Sequence, residues 1–92
     1  MIRLIGHIDV PLDRHEAVSA ALPEHIRLTR AEPGCLRFDV TQSPADPGRF
    51  DVSEIFTDRA AFDAHQERTK ASAWAKITAG IPRSYAVEEI DS

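Results

Sequence analysis

The chain has 92 residues and a net charge of −4, with 42% hydrophobic residues, 28% charged residues and one cysteine. These values fit one folded domain over residues 1–92 and exclude a disordered chain and an internal disulfide. No run of lysines or arginines occurs, and apolar stretches are only a few residues long. Nucleic-acid binding through a basic face and a membrane span of about 20 apolar residues are therefore excluded as well.

The opening Met1-Ile2-Arg3-Leu4-Ile5-Gly6-His7 is too short and too interrupted for a signal peptide, so a cytoplasmic location is expected. Ile2 to Val10 reads as a strand, with Ile2, Leu4, Ile8 and Val10 on one face and Arg3, Ile5, His7 and Asp9 on the other. Pro11 ends it, and Asp13 with Glu16 gives a capping-box-like start to a helix running to about Arg30. Val18, Ala21, Leu22, Ile26 and Leu28 supply that helix's apolar stripe. Pro23 is expected to kink or split it, because proline removes a helical hydrogen bond. Pro33-Gly34 stops it.

Cys35 to Gln42 alternates as a second strand, with Leu36, Phe38 and Val40 on one side. The turn formers of Ser43 to Gly48 predict a hairpin into a third strand, Arg49 to Phe56, where Phe50, Val52, Glu54 and Phe56 share a side. Thr57 or Asp58 can cap a second helix from Arg59 to about Lys70, which continues or restarts through Ala71 to Ala79. Gly80 and Pro82 break it, and Ser84 to Ile90 forms the last strand.

The order β-α-β-β-α-β is the ferredoxin-like α+β arrangement, a four-stranded antiparallel sheet with helices on one face. A chain this short buries only roughly 60–65% of its unfolded surface, so its core is thin. Ile5 and Ile55 leave the second sheet face partly apolar. Sheet-to-sheet packing in a homodimer is expected to cover it.

Arg30-Ala31-Glu32-Pro33-Gly34-Cys35-Leu36-Arg37-Phe38, the Asp46-Pro47-Gly48 hairpin, the Phe50/Val52/Glu54/Phe56/Asp58 series and Ala61-Phe62-Asp63-Ala64-His65 together resemble the antibiotic-biosynthesis-monooxygenase domain. The resemblance covers nearly the whole chain and implies a dimeric α/β barrel. The family spans quinol monooxygenases, polyketide-modifying oxygenases, haem degraders and members without known activity. Its haem-degrading branch uses an Asn on the first strand and a Trp and a His on the second helix. This chain has no asparagine, and His7, His65 and Ala75 stand near those three positions, so haem degradation is disfavoured. The same absence argues against carrying over the asparagine-dependent polyketide chemistry.

His65 is the candidate catalytic residue. Helical spacing groups it with Ala61, Phe62 and Thr69 on an inward face. Relatives that oxidise hydroquinone-like molecules without metal or flavin must deprotonate the substrate, and an imidazole with an ordinary pKa near 6.5 suits that role. The alternative is a core histidine bonded to backbone or to Glu54. Glu54, a carboxylate on an apolar strand face, must find a partner or take up a proton; it either orients His65 or anchors an arginine. Phe62, Trp74, Phe38 and Tyr85 are candidate aromatic walls for a flat substrate, or core, and His7 either lines the cavity or belongs to the dimer seam. Convergence of His7, Glu54 and His65 could form an iron site, but their spacing carries no motif, so no metal and no cofactor is expected. Cys35 lacks an activating neighbour and reads as structural. His15 and His25 are expected on or beside the surface of the first helix.

The reading is a cofactor-independent monooxygenase acting with dioxygen on a small aromatic or quinol-like substrate. A non-catalytic small-molecule-binding module and an oxygen-independent, isomerase-like relative are the alternatives.

Overall fold

A computed structural model describes residues 1–90. Its elements are β1 (Ile2–Asp9), a short 3₁₀ turn (Leu12–Arg14), α1 (His15–Arg30), β2 (Cys35–Gln42), β3 (Arg49–Phe56), α2 (Arg59–Lys70), α3 (Ala73–Ile77) and β4 (Arg83–Glu89). The strands form one antiparallel sheet in the order β2-β3-β1-β4, the ferredoxin-like topology that the element order predicts.

Register follows from alternation. Ile2 opposes Phe56, Leu4 opposes Glu54, Gly6 opposes Val52 and Ile8 opposes Phe50, so these eight residues share the helix-covered face. Val10 just after β1, Phe38 and Val40 of β2, Val18 of α1, Phe62 of α2 and Ile81 complete the buried core. The opposite face carries Arg3, Ile5, His7 and Asp9. There Asp9 pairs with Arg49 at 2.8 Å, Arg3 pairs with Glu88, and Ile5 is half exposed.

Four local expectations are corrected. Asp13 does not cap α1: the 3₁₀ turn comes first, and the helix begins at His15 with no side-chain cap. Pro23 does not split α1, which runs unbroken through it with one backbone hydrogen bond fewer and packs against β2 and α3. Leu28 is half exposed, because the buried stripe of α1 runs through Val18, His25 and Thr29. Leu36 occupies a bulge between Cys35 and Arg37 and turns outward, leaving Cys35 opposite Phe56.

The expected cap and restart hold: Asp58 caps α2 by accepting from Ala61 N at 2.8 Å, and the chain restarts as α3 behind Ser72, a cap that the sequence reading does not single out. Gly34 takes a φ of +84°, and a Cβ there would meet Ala61 Cβ at 2.6 Å, so the turn into β2 seats directly on α2. Gly6 permits another close approach. A Cβ on it would lie 2.6 Å from the Tyr85 ring and 2.0 Å from Ser84 O, so β4 can lay Tyr85 across β1 only over a glycine.

Candidate functional site

Between the inner sheet face and the three helices lies a cleft of about 320 Å³. β3 delivers Glu54 into it, because strand alternation leaves that carboxylate between the buried Val52 and Phe56. The Asp58 cap fixes the phase of α2, which turns His65 inward and buries all but 2% of it. Ser72 restarts the chain so that Trp74 reaches back over α1. Its indole stacks flat on His25, with centroids 4.6 Å apart and planes 3° from parallel, and His25 meets Phe38 edge-on at 5.3 Å. Tyr85 lines the β4 side over Gly6 with 41% of its surface exposed, and partial burial pushes its hydroxyl pKa up.

His65 stands between two carboxylates. Its Nδ1 lies 2.8 Å from Glu32 Oε2, and its Nε2 faces Glu54 Oε1 at 3.6 Å. The imidazole stacks on Phe56 with centroids 4.9 Å apart. Glu32 comes from the turn that ends α1, and its other oxygen accepts from Arg68 Nε at 3.1 Å. At 3.6 Å the Glu54 contact is beyond hydrogen-bond range, and Glu54 Oε1 has no hydrogen-bond partner among the described residues. Burial therefore governs Glu54: desolvation, and then the charge of Glu32, push its pKa up to about 7. Burial, followed by the nearby charge of His65, pushes His25 down to about 4. Near neutrality the cleft thus holds one neutral imidazole at His25, one carboxyl poised to gain or lose a proton, and one imidazole hydrogen-bonded to Glu32.

Five of the residues singled out by sequence meet in this cleft: His65, Glu54, Phe38, Trp74 and Tyr85. Two do not. Phe62 is core, packed edge-on to Phe56 of β3 at 5.9 Å beneath the Arg59 guanidinium. His7 lies on the opposite sheet face, with Nε2 3.6 Å from Asp9 Oδ2, so it cannot join Glu54 and His65 around a metal. Among the described residues, no group of three or more His, Cys, Asp or Glu side chains could hold a metal ion. Cys35 is half-buried, and burial with the charge of Glu32 raises its thiol pKa, which disfavours a reactive thiolate.

Sequence reasoning missed His25 and Glu32. His25 belongs to the series Val18, Leu22, His25, Thr29, whose spacing of four, three and four marks it as inward-facing. Glu32 sits in a turn 33 residues from His65, and no local pattern joins the two.

Comparison with known proteins agrees with the fold. The model of the family described as antibiotic biosynthesis monooxygenase matches residues 1–77. A solved structure from Nitrosomonas europaea, provisionally named an antibiotic biosynthesis monooxygenase, is 30% identical with a TM-score of 0.82, and the alignment covers 97% of each chain. Rv0793 from Mycobacterium tuberculosis is 25% identical with a TM-score of 0.75, over 99% of this chain and 96% of that one. PA3566 from Pseudomonas aeruginosa shares the fold at 23% identity and a TM-score of 0.78, over 99% and 94%. No curated protein matches the chain. No helix among the described residues is long and apolar enough to cross a membrane. By the extent of the family match and the identity to the Nitrosomonas protein, the chain belongs to the antibiotic biosynthesis monooxygenase family.

Proposed function

We propose that the protein is a cofactor-independent monooxygenase that oxidises a small aromatic, hydroquinone-like substrate with dioxygen. The observation that carries this reading is His65, buried at the wall of an aromatic-lined cleft with its Nε2 turned toward Glu54. A cleft of about 320 Å³ suits a molecule of one or two rings, with Phe38 and Trp74 as apolar walls.

The chemistry needs a base and a proton donor side by side. His65 Nε2 accepts the proton of a substrate hydroxyl, and the O–H bonding pair stays on the substrate as an electron-rich aryloxide. Its electrons reduce dioxygen. One oxygen atom bonds to the ring, the O–O bond breaks, and the other atom leaves as water with two hydrogens from the substrate. A hydroquinone and dioxygen thus become a hydroxyquinone and water, so the substrate is its own reductant. Glu54, with a pKa of about 7, can supply the proton for the departing oxygen. Burial among Phe38, Phe56 and Trp74 keeps competing water away from the aryloxide.

In this reading the protein is a cytoplasmic homodimer, its open sheet face covered by the same face of a second copy. The half-exposed Ile5 on that face supports this. The test of function is oxygen uptake against a panel of hydroquinones. Turnover by the wild type that a His65→Ala variant loses is the expected result. Full turnover by the variant, or tight ligand binding with no oxygen consumed, contradicts it; the second outcome is that of a binding module.

A further inference from the structure

Glu54 is the carboxylate that sequence pairs with His65, yet the shorter contact is made from the other side. Glu32 Oε2 is 2.8 Å from Nδ1, whereas Glu54 Oε1 is 3.6 Å from Nε2. Glu32 is itself almost wholly buried, with a side chain 10% exposed, and Arg68 Nε donates to its second oxygen at 3.1 Å. The hydrogen bond to Glu32 holds the Arg68 guanidinium above its ordinary pKa, as befits a charged pair. Arg68 lies one turn beyond His65 on α2, so a single helix presents both groups to one carboxylate. The turn that carries Glu32 is fixed by Gly34, whose backbone seats against Ala61 of that same helix.

We propose that Glu32 is the positioning residue of this site: it holds His65 with its proton on Nδ1 and leaves the Nε2 lone pair directed at the cleft. A carboxylate flanked by a guanidinium can only accept, so the nitrogen facing it must carry hydrogen. Free neutral histidine favours the opposite tautomer, with hydrogen on Nε2, which would turn a donor rather than a base toward the substrate. When Nε2 takes a proton, the imidazolium formed is stabilised by the same carboxylate; the Nδ1–H bond stays in place and no further atom moves. The groups facing His65 are then Glu32 at Nδ1, Glu54 at Nε2, Phe56 against the ring face and the Phe38 ring at 5.8 Å. Glu54 is released from orienting the imidazole and remains free for substrate.

The proposal rests on the functional reading only for its catalytic consequence; the tautomer can be measured without any substrate. With ¹⁵N-labelled histidine, and the His65 signals identified by their loss in His65→Gln, the wild type at pH 8 is expected to show a protonated Nδ1 and an unprotonated Nε2. Glu32→Leu should shift the pattern toward hydrogen on Nε2, and Glu32→Asp should keep the wild-type pattern at least in part. Where oxygen uptake is detected, Glu32→Leu should lower kcat on the order of 10²-fold with little change in KM. Hydrogen on Nε2 in the wild type overturns the proposal even if Glu32→Leu does not fold, as does a folded Glu32→Leu protein with the wild-type tautomer. Failure of oxygen uptake together with the expected tautomer leaves Glu32's role standing and refutes the oxygenase reading alone.

Discussion

Replacing Glu54 by glutamine should change the slope of stability against pH more than stability itself. Glu54 is raised from 4.5 to about 7, so the folded state binds its proton more tightly than the unfolded chain. Its contribution is complete below pH 4.5 and is lost as pH rises through 7. At about 1.4 kcal/mol per pH unit, the loss is roughly 3 kcal/mol. His25 is lowered from 6.5 to about 4, so its contribution is complete above pH 6.5 and is lost as pH falls through 4, again by roughly 3 kcal/mol. Between pH 4.5 and 6.5 the two slopes are equal and opposite, and the wild type should be flat. The carboxylates lowered by ion pairs, Asp9, Asp39 and Glu24, act below this window. Glu54→Gln unmasks His25, and stability should then rise by roughly 2 kcal/mol from pH 4.5 to 6.5, the part of the full effect that falls inside this window. His25→Phe keeps an aromatic ring against Trp74 and unmasks Glu54, so stability should fall by a similar amount. The double variant should be flat again. Urea unfolding at pH 4.5, 5.5 and 6.5, at one protein concentration and with m compared across variants, reads this directly. A flat Glu54→Gln profile would show that burial does not displace His25, a flat His25→Phe profile would show the same of Glu54, and either result contradicts the electrostatic description of the cleft.

Phe62→Ala should cost about 3–5 kcal/mol, read by urea unfolding, while the folded fraction keeps its ligand affinity; weakened binding at unchanged stability would return Phe62 to the cleft wall. Gly6→Ala should lower stability by about 1–3 kcal/mol and draw Tyr85 away from β1, seen as a change in tyrosine fluorescence; an unchanged melting temperature would contradict the close approach of β4. Light scattering at micromolar concentration should give twice the chain mass, and a monomer would refute sheet-to-sheet pairing.

The sheet was legible because its residues obey one rule. Every inward position of β1 and β3 except Gly6 and Glu54 is a large apolar side chain, and those two exceptions mark where Tyr85 crosses and where a carboxyl enters the cleft. Parity along β1 also assigns His7 to the face of Ile5, away from His65. The helices were harder to read. On α1, Leu28 and Ile26 drew the apolar stripe toward one side, while burial follows His25 and Thr29, polar residues that the Trp74 stack and close packing accommodate. Phe62 and His65 both point inward from α2, yet the three-residue step between them separates core from cleft, a distinction that periodicity alone does not resolve. Glu32 was invisible for a different reason: its partner is brought to it by tertiary folding, through a turn whose Gly34 reads only as a helix stop.

The most direct test is turnover under ¹⁸O₂ with a hydroquinone that supports oxygen uptake, with the product mass compared between wild type and His65→Ala. The account predicts one ¹⁸O atom in each product molecule, the other in water, and no labelled product from the variant. Product formed without dioxygen, or product free of label, contradicts it.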